Sequence, residues 1–289
     1  MKRIHIFFSL ILCLSVNMAH AQSMVTINPE LRLVNEDQCN GYVSLVQLPI
    51  SKVNQYLKKR LNQYGKNEGK KGVLVYRNAK VVGMHDLVTV YAQTDRGKKE
   101  TAEVWLGILT DDKQSHQEAE KMLYDIVVMM YQAEADKDVD AAQKEYDRAI
   151  AKGISLNTKY QDNRNHKLKL EANLDKNSHS HLKLLQHIEK NKVEEQRLKE
   201  ALNNTLANST DEAVIKKAQK HYDKAVDKGE TLARKLSNNE ANKLKLQENL
   251  RKNAVEKREL EVEIAQNQND QTQLKATLEA AKKVRASIK

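Results

Sequence analysis

Three histidines lie close together in the C-terminal half of the chain, at His179, His181 and His187. Imidazole nitrogens are common zinc ligands, so such a cluster could hold a metal ion. Two imidazoles meet on one helical face when they are three or four residues apart. These histidines are separated by two, six and eight residues. The spacing therefore predicts solvated or polar-layer side chains, and no metal or cofactor is expected.

Two further sets of residues in the N-terminal half could do chemistry. Cys39, His85 and Asp86 could supply a nucleophile, a base and an orienting acid, but no motif places them together. The pair Asp111 and Asp112 precedes a predicted helix, where carboxylates either bind a cation or complement the positive helix end. We favour the second interpretation of the aspartates, and we predict no catalytic residue in the chain.

Trp105 is the only tryptophan, and it lies in a predicted strand. Because side chains alternate along a strand, Trp105 shares a face with Glu103 and Gly107. This alternation predicts partial exposure of the indole and makes Trp105 a candidate contact for a partner.

The first 21 residues have the order of a cleavable secretory signal. Lys2 and Arg3 precede an apolar run, and small residues end at Ala21. A lipid anchor at Cys13 is disfavoured because Leu12 before it is bulky. Cleavage after Ala21 leaves Cys39 as the single cysteine, which predicts either a buried thiol or an intermolecular bridge. We predict an exported protein that is periplasmic, outer-membrane associated or secreted, with no transmembrane segment after signal removal.

Residues 22–134 are predicted to form an α+β head, an antiparallel sheet with two helices. Five short β-branched or alternating runs predict strands at 31–34, 42–48, 73–82, 87–92 and 102–109. Val53, Leu57 and Leu61 recur at helical spacing between the second and third strands. Gly97 is predicted to supply a positive φ in the last hairpin. A final helix carries an apolar face that should cover the sheet, formed by Met122, Leu123, Ile126, Val127 and Met130.

The rest of the chain repeats a fourteen-residue pattern, with leucine first, a mostly aliphatic residue fifth and asparagine eighth. Fourteen residues are two heptads, so these places are successive a, d and a positions of a coiled coil. Corresponding positions differ by 76, as Leu170 and Leu246 do, which indicates a duplication. We predict a long antiparallel coiled-coil hairpin with arms at 135–207 and 208–289. Its seam is Leu156, Leu170, Leu174, Leu184, Ile188, Leu198, Leu232, Leu236, Leu246, Leu250, Leu260, Ile264, Leu274 and Leu278.

Asparagines form the alternate layers of this seam and should fix its register at some cost in stability. They are Asn163, Asn177, Asn191, Asn239, Asn253 and Asn267. The chain is expected to turn at about 204–210, with Ser209 and Glu212 as a capping box. Facing residue numbers are expected to sum to about 420, which places Leu170 opposite Leu250 and Asn163 opposite Lys257. Asn208 at the turn is a candidate partner contact.

Charge and composition limit the partners. The formal net charge is +10, from 49 basic and 39 acidic residues, but both signs are spread along the helices. Aromatic residues are only 4% of the chain, so it has no stacking platform and no nucleic-acid partner is expected. We expect envelope proteins as partners, and two chains could also pair as a homodimer through the coiled coil.

The layout resembles uncharacterised exported proteins of Bacteroidota-type bacteria. The resemblance rests on the secretory signal, the segments 72–76 (GVLVY) and 103–108 (EVWLGI), and the charged helical tail. It implies a small α+β domain with a C-terminal coiled coil. The leading hypothesis is a non-enzymatic spacer or adaptor of the cell envelope. Alternatively, the head binds a small ligand or an envelope polymer, with the coiled coil as an oligomerisation module.

Overall fold

The structure is a computed structural model that describes residues 25–34, 36–70, 72–98, 100–109 and 113–289. Its elements, in chain order, are β1 (Asn28–Val34), β2 (Asp37–Val46), α1 (Ile50–Leu61), β3 (Val73–Ala79), β4 (Val88–Arg96), β5 (Ala102–Leu109), α2 (Lys113–Asn208) and α3 (Glu212–Ser287). The predicted order of strands and helices is confirmed, as is the α+β head followed by an antiparallel helical hairpin. The proposed signal sequence with Cys13, and the pair Asp111 and Asp112, lie outside the described residues.

The five strands form one antiparallel sheet in the order β1-β2-β5-β4-β3. The last three strands are a meander, as the sequence predicts, and β2 pairs with β5. The expected positive φ at Gly97 is wrong, because the residue with positive φ in the described part of this β4–β5 turn is Glu100, at 56°. The turn joins Arg96 to Ala102, and the Gly97 N–H donates to the Thr101 carbonyl at 3.0 Å.

One face of the sheet packs against helices to form the main core. The α1 residues Val53, Leu57 and Leu61 are buried at the spacing of one helical face. The predicted apolar face of the next helix, residues 122–130, joins the same core. Ile288, at the end of the chain, also packs into it, and Gln132 Nε2 donates to the Ile288 carbonyl at 3.1 Å. The core therefore combines residues from both ends of the described chain.

The chain forms two compact units. The sheet unit contains the described residues up to 148 together with 271–289, and the hairpin unit contains 149–270. The sequence left open a hinge between the head and the first arm, and α2 is instead helical from Lys113 to Asn208.

Among the described helices, none combines the length and apolar character needed to cross a membrane.

The turn between the long helices is shorter than predicted, because α2 ends at Asn208 and α3 begins at Glu212. The predicted capping box of Ser209 with Glu212 is wrong. Asp211 is the capping residue, and its Oδ1 accepts a hydrogen bond from the Ala213 N–H at 2.8 Å. Ser209 Oγ instead accepts from the Asp211 N–H at 3.2 Å, which orders the turn before the helix.

Candidate functional site in the helical hairpin

The predicted seam is protected from solvent along both arms, although its positions are buried to different degrees. Five leucines at the first place of the fourteen-residue repeat are buried, with Leu156, Leu170, Leu232, Leu246 and Leu260 all below 9% exposure. Leu278, in the sheet unit, is also buried. The other predicted seam residues are half-buried, namely Leu174, Leu184, Ile188, Leu198, Leu236, Leu250, Ile264 and Leu274. Burial therefore does not follow heptad position alone, because Leu184, Leu198 and Leu274 share the first place of the repeat with the five buried leucines and are half-buried.

The asparagine layers are also in the interface, and two of them make reciprocal hydrogen bonds. Asn163 Nδ2 donates to the Asn253 carbonyl at 3.2 Å, and Asn253 Nδ2 donates back to the Asn163 carbonyl at 3.0 Å. Asn177 and Asn239 do the same at 3.0 and 3.1 Å. Each layer therefore joins the backbones of both helices.

The remaining two asparagines face alanines. Asn191 Nδ2 donates to the Ala225 carbonyl at 2.9 Å, and Asn267 Nδ2 donates to the Ala149 carbonyl at 3.1 Å. A small residue opposite the carboxamide lets the side chain reach the partner backbone. All six asparagines thus hydrogen bond across the interface.

These bonds correct the predicted register. Facing residue numbers sum to 416 in all four layers, so the predicted sum of 420 is wrong. Leu170 faces the level of Leu246 and not Leu250, and Asn163 faces Asn253 and not Lys257. The prediction matched apolar layers, which tolerate sliding. The structure instead satisfies the carboxamide donors with backbone carbonyls of the opposite helix, at the level of a second asparagine in two layers and of an alanine in the other two.

The hairpin has an internal two-fold relation. A shift of 76 maps Asn163 onto Asn239 and Asn177 onto Asn253, so the two reciprocal layers are copies of each other. The Asn191–Ala225 and Asn267–Ala149 layers are related in the same way. The relation centres on the level of Leu170 and Leu246, which are themselves duplicated positions. Each arm therefore presents the same pattern of seam residues to the other.

The reciprocal layers carry an energetic cost. Among the described residues, the Oδ1 atoms of Asn163, Asn177, Asn239 and Asn253 are buried and accept no hydrogen bond. A buried acceptor without a donor costs roughly 1–3 kcal/mol. Leucine at these positions would avoid the cost, so the asparagines contribute specificity of pairing more than stability.

Of the two candidate partner contacts, one is exposed and one is not. Asn208 is exposed at the end of α2, where its Nδ2 donates to the Asn204 carbonyl at 2.9 Å. The expected partial exposure of Trp105 is wrong, because its exposure is 0%. Gly41 and Gly107 leave room for the ring against the backbone, and a Cβ on either would lie within 2.6 Å of it.

Trp105 is instead part of a second, smaller core on the outer face of the sheet. Its Nε1 donates to the Glu30 carbonyl at 3.0 Å, and the Arg32 guanidinium lies 5.6 Å from the ring centroid. Arg32 is held there by Glu30 at 2.9 Å and Asp95 at 2.6 Å. Cys39 is buried in this core, as one of the two predictions for its thiol required.

The cysteine, histidine and aspartate side chains that could do chemistry do not form a common site among the described residues. His85 and Asp86 are exposed in the β3–β4 loop, whereas Cys39 is buried. His179 Nδ1 lies 3.0 Å from the Asp175 carbonyl, a contact within one helical turn. In the described part of the chain, no three His, Cys, Asp or Glu side chains come together as a metal site.

Sequence reasoning missed Glu134, a buried carboxylate in the sheet unit with an exposure of 7%. It accepts hydrogen bonds from Lys52 Nζ at 2.6 Å, Tyr56 OH at 2.6 Å and Lys137 Nζ at 2.8 Å. Desolvation by burial acts to raise the pKa of Glu134, but the three donors outweigh it and lower this pKa to about 2. The ionised side chain therefore ties α1 to α2. Only the Lys137 spacing could have been found in the sequence.

The comparisons with known proteins do not supply a function. No protein-family model matches the chain, and no curated protein matches it significantly.

Proposed function

We propose that the chain is a non-enzymatic adaptor or spacer of the cell envelope, which acts through its helical hairpin and carries the α+β head. The observation that supports this proposal best is the pair of reciprocal asparagine layers. Asn163 with Asn253 and Asn177 with Asn239 keep buried acceptors without donors, which a structure selected for stability alone would replace with leucine. A fixed register along two long helices is useful when residues on both helices must meet one partner.

The exposed turn at residues 208–211 is the proposed contact with that partner. Asn208, Thr210 and Asp211 are exposed there, between two helices whose pairing is fixed by the seam. A photoreactive residue at position 208 in intact cells, followed by mass identification of adducts, tests this role. The same residue at the exposed mid-arm position 165 is the matched control. A partner protein captured from 208 and not from 165 is the expected result, and adducts at equal levels from both would contradict the assignment.

Export is part of the same proposal, and it rests on the N-terminal sequence. Cleavage after Ala21 leaves a mature chain that starts at Gln22. The mass of the protein purified from its native envelope measures this directly. A cytoplasmic chain that retains its first 21 residues would contradict the envelope location without affecting the hairpin.

A further inference from the structure

One groove between the arms of the hairpin unit collects basic side chains. It lies beside the Asn163–Asn253 layer and has a volume of about 540 Å³. Its charged lining is Arg164 and Lys167 from α2 and Lys257, Arg258 and Glu261 from α3. Four basic side chains and one acidic side chain give the lining a formal charge of +3. Basic side chains from both helices therefore line the same groove.

The two arginines of this groove differ from its lysines. Lys167 pairs with Glu171 at 3.2 Å and Lys257 with Glu261 at 3.3 Å, each within one helical turn. In the described chain, no carboxylate lies within 4.0 Å of either Arg164 or Arg258. Their guanidinium groups are exposed and can turn toward a ligand in the groove. Tyr160, also in the lining, donates from its hydroxyl to Glu261 at 3.3 Å.

The duplication provides an internal comparison for these charges. The positions 76 residues away surround the equivalent Asn177–Asn239 layer, so the seam of both regions is the same. Lys243 there corresponds to Lys167, but the other charged residues of the groove are not retained. Glu240 stands in place of Arg164, Leu182 in place of Arg258, and His181 in place of Lys257. Only the copy beside the Asn163–Asn253 layer therefore carries two arginines.

We propose that this groove binds a soluble ligand that carries several phosphate groups. The planar guanidinium of arginine donates two parallel hydrogen bonds to a phosphate, and lysine adds a point charge beside it. Arg164 and Arg258 supply the bidentate contacts, while Lys167 and Lys257 attract neighbouring phosphates. A ligand with more than one phosphate is expected because the two arginines lie on different helices, Arg164 with Lys167 on α2 and Arg258 with Lys257 on α3. The site is separate from the turn at Asn208, so this proposal goes beyond the adaptor function.

A membrane surface fits this arrangement less well than a soluble ligand. Peripheral binding to anionic lipid combines basic residues with a broad apolar face that enters the bilayer. In the groove the basic residues instead face a space between two helices, and its central residues are Asn163 and Asn253. Vesicles are therefore the comparison in the test and not the expected ligand.

The test uses the full-length chain and tripolyphosphate as the probe, measured by calorimetric titration at low ionic strength. Replacement of the groove arginines by the residues of the other copy, R164E with R258L, should weaken binding by about tenfold or more. The matched control is R234E with R251L, which makes the same charge change at two exposed arginines of the same unit. The control should bind nearly as well as the unchanged chain. Circular dichroism should show equal helix content in all three proteins.

The reverse transfer gives a second readout. The variant E240R with L182R builds the arginine pair beside the Asn177–Asn239 layer, and the number of tripolyphosphate molecules bound per chain should rise from one to two. An unchanged number in a helical protein would overturn the assignment of the two arginines.

Three other results would also overturn the proposal. The unchanged chain could fail to bind tripolyphosphate, or both arginine variants could lose affinity equally, which would show that binding follows net charge alone. Arginine-dependent binding to phosphatidylglycerol vesicles without binding of tripolyphosphate would assign the groove to a membrane surface instead.

Discussion

The carboxylate of Glu134 makes the stability of the sheet unit depend on pH. The pKa of Glu134 is about 2 in the folded chain, compared with 4.5 for an unperturbed glutamate. It is lowered because Lys52, Tyr56 and Lys137 donate hydrogen bonds that stabilise the ionised carboxylate. A lowered carboxyl pKa means that the stabilisation is fully present above about 4.5 and is lost as the pH falls toward 2. The shift corresponds to at most about 3 kcal/mol.

Replacement of Glu134 by Gln should therefore lower the free energy of unfolding at pH 7 and flatten its decline between pH 5 and pH 3. Urea unfolding at each pH measures both effects. Glu120→Gln is the control, because it removes an exposed carboxylate from the same helix. A decline of the same steepness in Glu134→Gln and in the unchanged protein would show that the network does not set the acid stability.

Gly107 sets the position of Trp105. A Cβ added at Gly107 would lie 2.5 Å from the indole Cη2 and 2.9 Å from Cys39 Sγ. Gly107→Ala should therefore destabilise the sheet unit by about 1–3 kcal/mol, as overpacked cores do. Gly229→Ala is the control, since its nearest new neighbour is the end of the Asn191 side chain at 3.2 Å. Thermal unfolding followed by tryptophan fluorescence measures the difference, and equal effects of both changes would contradict this account.

The asparagine layers between the two long helices should fix the register of the helices and lower the stability of the hairpin. Leucine at Asn163, Asn177, Asn239 and Asn253 removes four buried acceptors that lack donors. We expect the free energy of unfolding to rise by roughly 1–3 kcal/mol for each of the two layers. Leucine at the exposed Asn165 and Asn173 is the control and should not raise it.

The same variant should lose its single register. Cysteines at Leu170 and Leu246 report the observed pairing, and cysteines at Leu170 and Leu260 report a pairing shifted by two heptads. Thiol crosslinking should link only the first pair in the unchanged hairpin and both pairs in the leucine variant. Crosslinking confined to the first pair in both proteins would show that the turn alone fixes the register.

The strands and helices could be predicted wherever a short sequence pattern determines the secondary structure. Strand alternation and the helical spacing of Val53, Leu57 and Leu61 identified the head, and the fourteen-residue repeat identified the hairpin. The register was not predictable from apolar matching, because leucine layers look alike after a shift. What selects it is a hydrogen bond from a side chain to the opposite backbone, as at Asn163 and Asn253. The helix start was misplaced because Ser209 and Asp211 are both capping residues by type.

Contacts between segments that are far apart in the sequence could not be predicted from local sequence patterns. The Tyr124 hydroxyl donates to the Lys289 carbonyl, and Ile288 fills part of the main core. These residues carry no motif, and their partners are more than 150 positions away in the sequence. Glu134 was missed for the same reason, since Lys52 and Tyr56 come from another element. The buried Trp105 depends on two glycines from different strands.

The internal two-fold relation of the hairpin makes each arm complementary to itself as well as to the other arm. A second chain could therefore replace the partner arm, with Leu170 of one chain facing Leu170 of the other. The turn of residues 209–211 opposes this exchange, because it holds the two arms of one chain at a high effective concentration. We therefore expect the closed hairpin to dominate at micromolar concentration, and exchanged dimers to appear only after refolding of concentrated protein.

Cysteine placed at the centre of the two-fold relation distinguishes these states. With Cys13 and Cys39 replaced, Leu170→Cys alone can form a covalent dimer only when two first arms pair, whereas Leu170→Cys with Leu246→Cys links within one closed chain. Asn163→Cys is the matched control, because position 163 would face 177 and not itself in such a dimer. A short thiol crosslinker should give no Leu170→Cys dimer from dilute protein. A strong dimer band from Leu170→Cys, absent from Asn163→Cys, would show that the native protein pairs between chains and that its partner arm is supplied by a second copy.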